Sequence, residues 1–265
     1  MDKILKLDNG VELPYIELGE NNSETLIMGQ FYFTSFRPLL EELAKYFHVY
    51  AVVMRTCEPV TEFQADGTPN WEVMWGKEIY EFSQKMGLKD FIYAGKCHGT
   101  VPGWHLFRTH PELIKGFVLF SLLPTDRTPG FVNHKFMSVM KYQVTEPRKF
   151  VEACLRNHDL VDKKLAEMRS ANLQLIRTGN QKELSDIKTN EDLFAYYQTI
   201  TAPTLLLYGS EDPGLDENMY MKSVMAIPGM KAVMYQGERH FFEMDIPEIL
   251  AGDVAHWARQ KGFLA

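Results

Sequence analysis

Short apolar segments recur along the chain at intervals that suit the strands of a buried sheet. Each is four to seven residues long and rich in β-branched and aromatic residues, which is typical of strands covered on both faces. The predicted strands cover residues 24–28, 48–54, 91–94, 116–121, 204–208 and 231–235. An amphipathic hairpin over residues 4–18, with its turn at Asn9-Gly10, predicts antiparallel strands at one edge.

Stretches with apolar residues at helical spacing separate these strands. They cover residues 38–46, 71–86, 98–110, 218–226 and 247–261. Strands and helices that alternate in this way favour an α/β fold, with a mostly parallel central sheet and right-handed crossover helices on both faces.

One interval breaks the alternation. Residues 124–201 contain no convincing strand, only a helical pattern rich in Met, Leu, Lys and Glu. We therefore expect residues 1–123 and 202–265 to form the α/β core, and residues 124–201 to form a helical cap insertion. Ligands of such sheets bind at the carboxyl ends of the strands, so this insertion is placed to cover the site.

Composition narrows the class of protein. A chain of 265 residues that is 45% hydrophobic is long enough for one sizeable core. Its net charge is -7, and no run of Lys and Arg with interleaved aromatics suits a phosphate backbone, so we expect no nucleic-acid partner.

The N-terminus and the cysteines indicate a compartment. Charged residues interrupt the first eight positions, and no apolar run reaches membrane-spanning length, so we expect a cytoplasmic protein without a membrane partner. Cys57, Cys97 and Cys154 are too few and too scattered for a disulfide framework or a zinc site. We expect free thiols, no metal or other cofactor, and a small-molecule substrate.

The most specific motif is Gly95-x-Cys97-x-Gly99, which lies between a predicted strand and a predicted helix. A sharp strand-to-helix turn holds its central side chain above the sheet edge. The start of the helix favours a thiolate at Cys97, and the backbone N-H of His98 points to where an oxyanion would form. The alternative is a buried free cysteine in an ordinary turn.

A catalytic thiol needs a base, and two further residues that follow strands could serve as the base and its acid. Asp212 follows the strand 204–208 in a Gly-x-x-Asp segment, and His240 follows the strand 231–235 in a Gly-x-x-His segment. Each taken alone is more often a turn or surface residue. Together they place an acid and a base at the same sheet edge as Cys97.

These segments resemble the α/β-hydrolase superfamily over nearly the whole chain. The resemblance implies that Cys97 is the nucleophile, Asp212 the acid and His240 the base. The usual motif has serine at the centre. The cysteine form resembles that of dienelactone hydrolases and polyhydroxyalkanoate synthases.

The loop after the first central strand departs from the family pattern, because Gly29-Gln30-Phe31 replaces the usual His-Gly. A second oxyanion donor is expected from the backbone N-H of Phe31 or of Gln30, beside that of His98. For the His98 ring, a role in covering the helix start or contacting substrate is the less favoured alternative to this backbone role. Lys96 could stabilise a thiolate, but side-chain alternation around the turn favours its pointing away.

Three side chains are candidate substrate contacts. Arg55 could pair with a substrate carboxylate or with Glu58. Tyr32 belongs to an aromatic segment that forms either core or pocket wall, and Met137 could line an adaptable apolar pocket or simply pack in a helix.

The expected reaction is hydrolysis of an activated ester, enol-lactone, thioester or 1,3-diketone through an acyl thioester on Cys97. A thiolate leaves more readily than an amine, which disfavours peptidase activity. Two rival functions keep the fold: an acyltransferase or carbon-carbon bond cleaving enzyme that uses the same intermediate, and a non-catalytic small-molecule binding protein.

Overall fold

The computed structural model describes residues 3–31, 34–56, 58–121, 126–170 and 183–265. Within these ranges the strands form one eight-stranded sheet in the order β1-β2-β4-β3-β5-β6-β7-β8. Their bounds are β1 (Lys3–Lys6), β2 (Glu12–Leu18), β3 (Thr25–Gln30), β4 (His48–Val53), β5 (Phe91–Lys96), β6 (Ile114–Phe120), β7 (Thr204–Gly209) and β8 (Lys231–Tyr235). β2 pairs antiparallel with β1 and β4, and every other neighbouring pair is parallel. The predicted α/β fold with an antiparallel edge is confirmed.

The described helices are α1 (Arg37–Leu43), α2 (Trp71–Lys85), α3 (Val101–Thr109), α4 (His134–Met140), α5 (Tyr142–Thr145), α6 (Pro147–Cys154), α7 (Val161–Ser170), α8 (Asn190–Tyr197), α9 (Glu217–Ala226), α10 (Phe242–Asp245) and α11 (Pro247–Gln260). Short 3₁₀ turns occupy Cys97–Thr100, Pro111–Leu113 and His158–Leu160. None of the described helices combines the length and the apolar character needed to cross a membrane.

Apolar side chains cover both faces of the sheet. On one face, α2, α3, α8 and α9 bury a cluster that includes Phe82, Trp104 and Tyr197. On the other face, α1 and α11 bury a second cluster that includes Leu40 and Val254. Because both faces of the sheet are covered, the ends of the strands are where its side chains can meet a ligand.

The described residues between β6 and β7 fold only into helices and turns. Their apolar cluster includes Val151 of α6 and Leu165 of α7, and it also takes in Phe241 and Met244 from the segment after β8. The inserted helices thus pack directly on the chain that follows His240. The division into a core (1–123 and 202–265) and a cap (124–201) stays a prediction, and its start at Pro124 lies outside the described residues.

Candidate active site

The turn after β5 holds Cys97 in a strained backbone conformation. β5 ends at Lys96, and the 3₁₀ turn begins at Cys97 with a φ of 52°. Residues with a side chain rarely adopt this left-handed conformation, which costs about 1–3 kcal/mol. The surrounding structure must therefore impose it, which is the behaviour expected of a functional turn.

Two glycines make the turn possible. A Cβ at Gly95 would collide with the main chain of Gly99, and a Cβ at Gly99 would collide with the carbonyl oxygen of Gly29. β3 and the Cys97 turn thus approach each other more closely than any residue with a side chain permits. The Gly-x-Cys-x-Gly pattern follows from this packing.

Buried hydrogen bonds fix the same turn. The hydroxyl of Thr100 donates to the carbonyl of Cys97 at 2.8 Å, and the hydroxyl of Tyr93 donates to the carbonyl of Gly99 at 2.8 Å. Thr100 and Tyr93 are both fully buried. The position of the sulfur is accordingly set by the core and not by an exposed loop.

Asp212 and His240 come from two adjacent loops that are bound to each other. Asp212 follows β7 and His240 follows β8. The N-H of Glu211 donates to the carbonyl of Glu238 at 2.9 Å, and the N-H of Gly237 donates to the hydroxyl of Ser210 at 2.9 Å. These bonds bring the two loops together at the carboxyl edge of the sheet, beside the Cys97 turn.

Asp212 orients the imidazole of His240. The Asp212 side chain is completely buried, and its Oδ2 lies 2.8 Å from Nδ1 of His240. Its Oδ1 accepts the N-H of Gly214 at 2.7 Å. With Nδ1 occupied in this way, Nε2 of His240 is left for the sulfur.

Burial and charge act in opposite directions on this pair. Burial alone would raise the pKa of Asp212, but the His240 imidazolium and its hydrogen bond hold that pKa below its usual range. Burial alone would lower the pKa of His240, but the Asp212 carboxylate raises it to about 9. The carboxylate therefore stays ionised, and the imidazole is a strong proton acceptor.

The thiol of Cys97 interacts with two imidazoles. Sγ lies 3.4 Å from Nδ1 of His98 and also hydrogen-bonds to His240. Burial works against ionisation, yet the positive charge of His98 and the bonds to both rings hold the pKa of Cys97 well below its usual range. The lowered pKa favours the thiolate, which is the reactive form of cysteine.

Sequence reasoning favoured a backbone role for His98, and the structure adds a role for its side chain. The ring faces Cys97, and the thiolate raises the pKa of His98 although burial opposes this. A 3₁₀ turn in place of a regular first helical turn sets this direction. Strand and helix periodicity did not predict it.

Sequence analysis also missed Glu183. The residue is 3% exposed, and no side chain among the described residues donates a hydrogen bond to its Oε1. Burial raises the pKa of Glu183 to about 7, while the charge of His98 lowers it and that of Cys97 raises it. Arg127 donates to the main-chain carbonyls of Glu183 and Leu184 at 2.6 and 3.2 Å, which anchors this segment near the thiol. No sequence motif marked it.

Lys96, whose side chain was expected to point away from the site, contacts the residue that carries the candidate base. Its Nζ donates to the main-chain carbonyl of His240 and to Oγ of Ser121, the latter at 3.1 Å. Ser121 is fully buried and has a φ of 51°. The residue before Cys97 is therefore bonded to the main chain of His240.

The expected oxyanion donors lie next to this turn. Gln30 ends β3, and its carbonyl accepts the N-H of Met54 at 2.7 Å. Phe31 follows, and its ring centroid lies 6.0 Å from that of His98 and 5.3 Å from that of Trp75. The oxyanion roles of His98, Phe31 and Gln30 stay predictions.

The tentative substrate contacts Arg55 and Met137 have different surroundings in the structure. Arg55 is buried and paired with Glu78 of α2, a partner that the sequence reasoning did not consider, since it weighed only Glu58 and a substrate carboxylate. Met137 is 54% exposed on α4, a helix with no buried residue. Tyr32 and Cys57 lie outside the described residues.

No group of three or more His, Cys, Asp or Glu side chains arranged to hold a metal occurs within the described ranges. The ionisable groups around Cys97 interact with one another: Asp212 bonds to His240, and His98 contacts Cys97.

Comparison with known proteins identifies the family. Residues 72–245 match the family model described as alpha/beta hydrolase fold, a range that includes Cys97, Asp212 and His240. At the level of sequence, the comparison with curated proteins gives no match.

Solved structures share the fold over almost the whole chain. Est816, described as an N-acyl homoserine lactone degrading enzyme, is 15% identical with a TM-score of 0.75, and the match covers 96% of this chain and 99% of that one. A thermophilic esterase from Thermogutta terrifontis is 15% identical with a TM-score of 0.75, and covers 98% of both chains. An alpha/beta hydrolase fold protein from Chitinophaga pinensis is 16% identical with a TM-score of 0.74, covering 97% of this chain and 96% of its own. At these identities the likeness shows the fold.

Proposed function

We propose that this chain, which belongs to the alpha/beta hydrolase fold family, hydrolyses an activated carbonyl compound through an acyl thioester on Cys97. The substrate is a small molecule: an activated ester, an enol-lactone, a thioester or a 1,3-diketone. The proposal places the reaction in the cytoplasm, where reducing conditions keep the thiol free.

One observation carries the proposal. Cys97 has a depressed pKa and bonds to His240, whose other ring nitrogen lies 2.8 Å from a completely buried Asp212. A cysteine that served only as a small core residue would have no reason to face two imidazoles. Cys154 has that simpler environment: it is 1% exposed, and burial raises its pKa well above the usual range.

The first half of the reaction forms the thioester. The Cys97 thiolate attacks the carbonyl carbon, a carbon-sulfur bond forms, and the carbonyl electron pair moves to oxygen. Backbone N-H groups of His98 and of Phe31 or Gln30 hold this oxyanion. The adduct collapses as the leaving group takes the proton of the His240 imidazolium.

The second half releases the acid. Neutral His240 takes a proton from water, the water oxygen attacks the thioester, and the carbon-sulfur bond breaks to restore the thiolate and the imidazolium. Asp212 stays ionised throughout and keeps the ring in one orientation. Because the first adduct expels whichever group leaves more readily, a thiolate nucleophile restricts the substrates to carbonyls with good leaving groups.

The test is to incubate the protein with a panel of activated acyl compounds, quench at short times and measure intact mass. The wild type is expected to gain the mass of one acyl group, and peptide mapping is expected to place it on Cys97. Cys97→Ala is expected to gain none, whereas the matched control Cys154→Ala, which removes the other described thiol, is expected to behave as the wild type.

Other outcomes distinguish the rivals. An adduct of equal size in the wild type and in Cys97→Ala contradicts the nucleophile assignment. An adduct on Cys97 that is discharged to an added alcohol or amine faster than to water identifies an acyltransferase. Binding of panel compounds with neither adduct nor turnover identifies a binding protein.

A further inference from the structure

A group of buried charges lies behind the catalytic residues and is not used in the chemistry above. Lys96 is 6% exposed, and its Nζ lies 3.7 Å from Oε2 of Glu243 and 4.6 Å from the ring centroid of Phe242. Together with the bond to the carbonyl of His240, this ammonium contacts three of the four consecutive residues 240–243.

Glu243 needs compensating charge. It is completely buried, and no side chain among the described residues donates a hydrogen bond to either carboxylate oxygen. Burial raises its pKa, and the two lysine charges that act against this shift are those of Lys96 and Lys164. A buried carboxylate in such a setting depends on its cations, so the geometry of α10 depends on where those cations lie.

Lys164 brings the inserted helix α7 into the same group. It is 1% exposed, and its Nζ lies 4.6 Å from the ring centroid of Phe241, next to His240. The same Nζ lies 3.0 Å from Oε2 of Glu167 and 3.0 Å from Oγ of Ser35. Oε1 of Glu167 accepts the N-H of Ser35 at 2.8 Å.

Ser35 belongs to the chain between β3 and α1, the segment that begins with the expected oxyanion donor Phe31. α7 therefore bonds to this segment and packs against the residues after His240. The four charged side chains are two cations and two anions, so the group is balanced as a whole.

We propose that Lys96, Glu243, Lys164 and Glu167 are positioning residues, a buried charge network through which α7 of the inserted region holds His240 and Ser35 in place. The inserted region then does more than cover the substrate. It also supports the residue that carries the base and, at Ser35, the start of α1.

The catalytic meaning of the network rests on the proposed function, but its test does not need turnover. Lys164→Met removes one cation from α7, and Lys163→Met is the matched control, since Lys163 is the exposed neighbour on the same helix. The first readout is amide hydrogen exchange at Ser35 and at residues 240–243. The second is the pH dependence of Cys97 alkylation, resolved by peptide mapping.

In folded Lys164→Met we expect exchange at Ser35 and at residues 240–243 to be at least about tenfold faster, with β5 unchanged. We also expect the Cys97 alkylation curve to move toward the pH of an ordinary thiol, because His240 is no longer held beside the sulfur. Lys163→Met is expected to match the wild type in both readouts. Where Lys164→Met fails to fold, Glu243→Gln, which keeps the side-chain shape, decides the question by faster exchange at residues 240–243.

Unchanged exchange and an unchanged alkylation curve in a folded network variant overturn the proposal. A wild-type alkylation curve like that of a free thiol instead contradicts the proposed function. In that case the hydrogen-exchange measurement alone decides whether the charge network positions these residues. The two failures are thus distinguishable.

Discussion

Two histidines contact the same sulfur, and their supporting carboxylates differ. His240 is bound at 2.8 Å by Asp212, which is completely buried and also accepts a backbone N-H. His98 lies 3.4 Å from Sγ, and the acid whose charge acts on it is Glu183, whose pKa is raised to about 7 by burial. One acid keeps a constant charge at neutral pH, whereas the other changes charge there.

This difference separates the two roles. A carboxylate with two strong donors orients its partner and fixes its charge, which suits a general base. The Oε1 of Glu183 accepts no hydrogen bond from the part of the chain that the structure describes, so its charge responds to its surroundings, which suits adjustment of the thiolate's environment. We therefore expect Asp212 and His240 to contribute much more to turnover than Glu183 and His98.

Removing His240 is expected to have the largest effect. His240→Ala loses the general acid and base together, so kcat/KM should fall by about 10³-fold, within the range that such groups contribute. His98→Ala should cost less than about tenfold, because the base remains. Steady-state kinetics on the best panel substrate measures both, with His256→Ala of the exposed face of α11 as the control.

Equal losses of kcat/KM in His240→Ala and His98→Ala would show that the two rings contribute equally, which would contradict their different roles.

Neutralising Asp212 is expected to have the next largest effect. In Asp212→Asn the carboxylate that raises the pKa of His240 to about 9 is lost, so the imidazolium should give up its proton at lower pH. The thiolate-imidazolium pair exists between the pKa of Cys97 and that of His240. The alkaline limb of the kcat/KM profile should therefore move down from about pH 9, with a loss of about 10²-fold at pH 8.

An alkaline limb that keeps its position in Asp212→Asn would show that another group sets it. Glu211→Gln, which alters an exposed acid in the same loop, is the control.

Neutralising Glu183 is expected to have the smallest effect. In the wild type, Glu183 loses its proton as the pH rises through about 7, and the resulting charge favours the imidazolium of His98. Glu183→Gln should therefore lower the pKa of His98 and leave that of His240 in place, with less than about a tenfold change in kcat/KM. Titration of the two imidazoles by nuclear magnetic resonance measures this directly.

A His98 titration that is identical in the wild type and in Glu183→Gln would show that the charge of Glu183 does not affect the pKa of His98.

The fold and the order of the three central residues could be predicted because they depend on local pattern. Buried strands read as apolar runs, and a nucleophile, acid and base that each follow a strand must meet at one edge of a parallel sheet. Gly95 and Gly99 marked the turn because main-chain atoms, those of Gly99 itself and of Gly29 in β3, leave no room for a side chain at either position.

The remaining site residues could not be predicted because long-range packing decides them. His98 lies in a 3₁₀ turn, and Glu183 lies in a turn that no sequence motif marks. Arg55 forms an ion pair with Glu78 of α2, which belongs to a separate element. The contacts of Lys164 on α7 with Ser35 and Phe241 join residues that are far apart in the sequence.

The most direct test of the central claim is the pH dependence of alkylation at each thiol of the folded wild type, resolved by peptide mapping. We expect Cys97 to reach its full alkylation rate at a pH clearly below the ordinary thiol pKa of about 8.5, and Cys154 to stay unreactive until the protein unfolds. A Cys97 rate that rises tenfold per pH unit through neutrality and levels off only near pH 8.5 would contradict a thiolate held by His240 and His98.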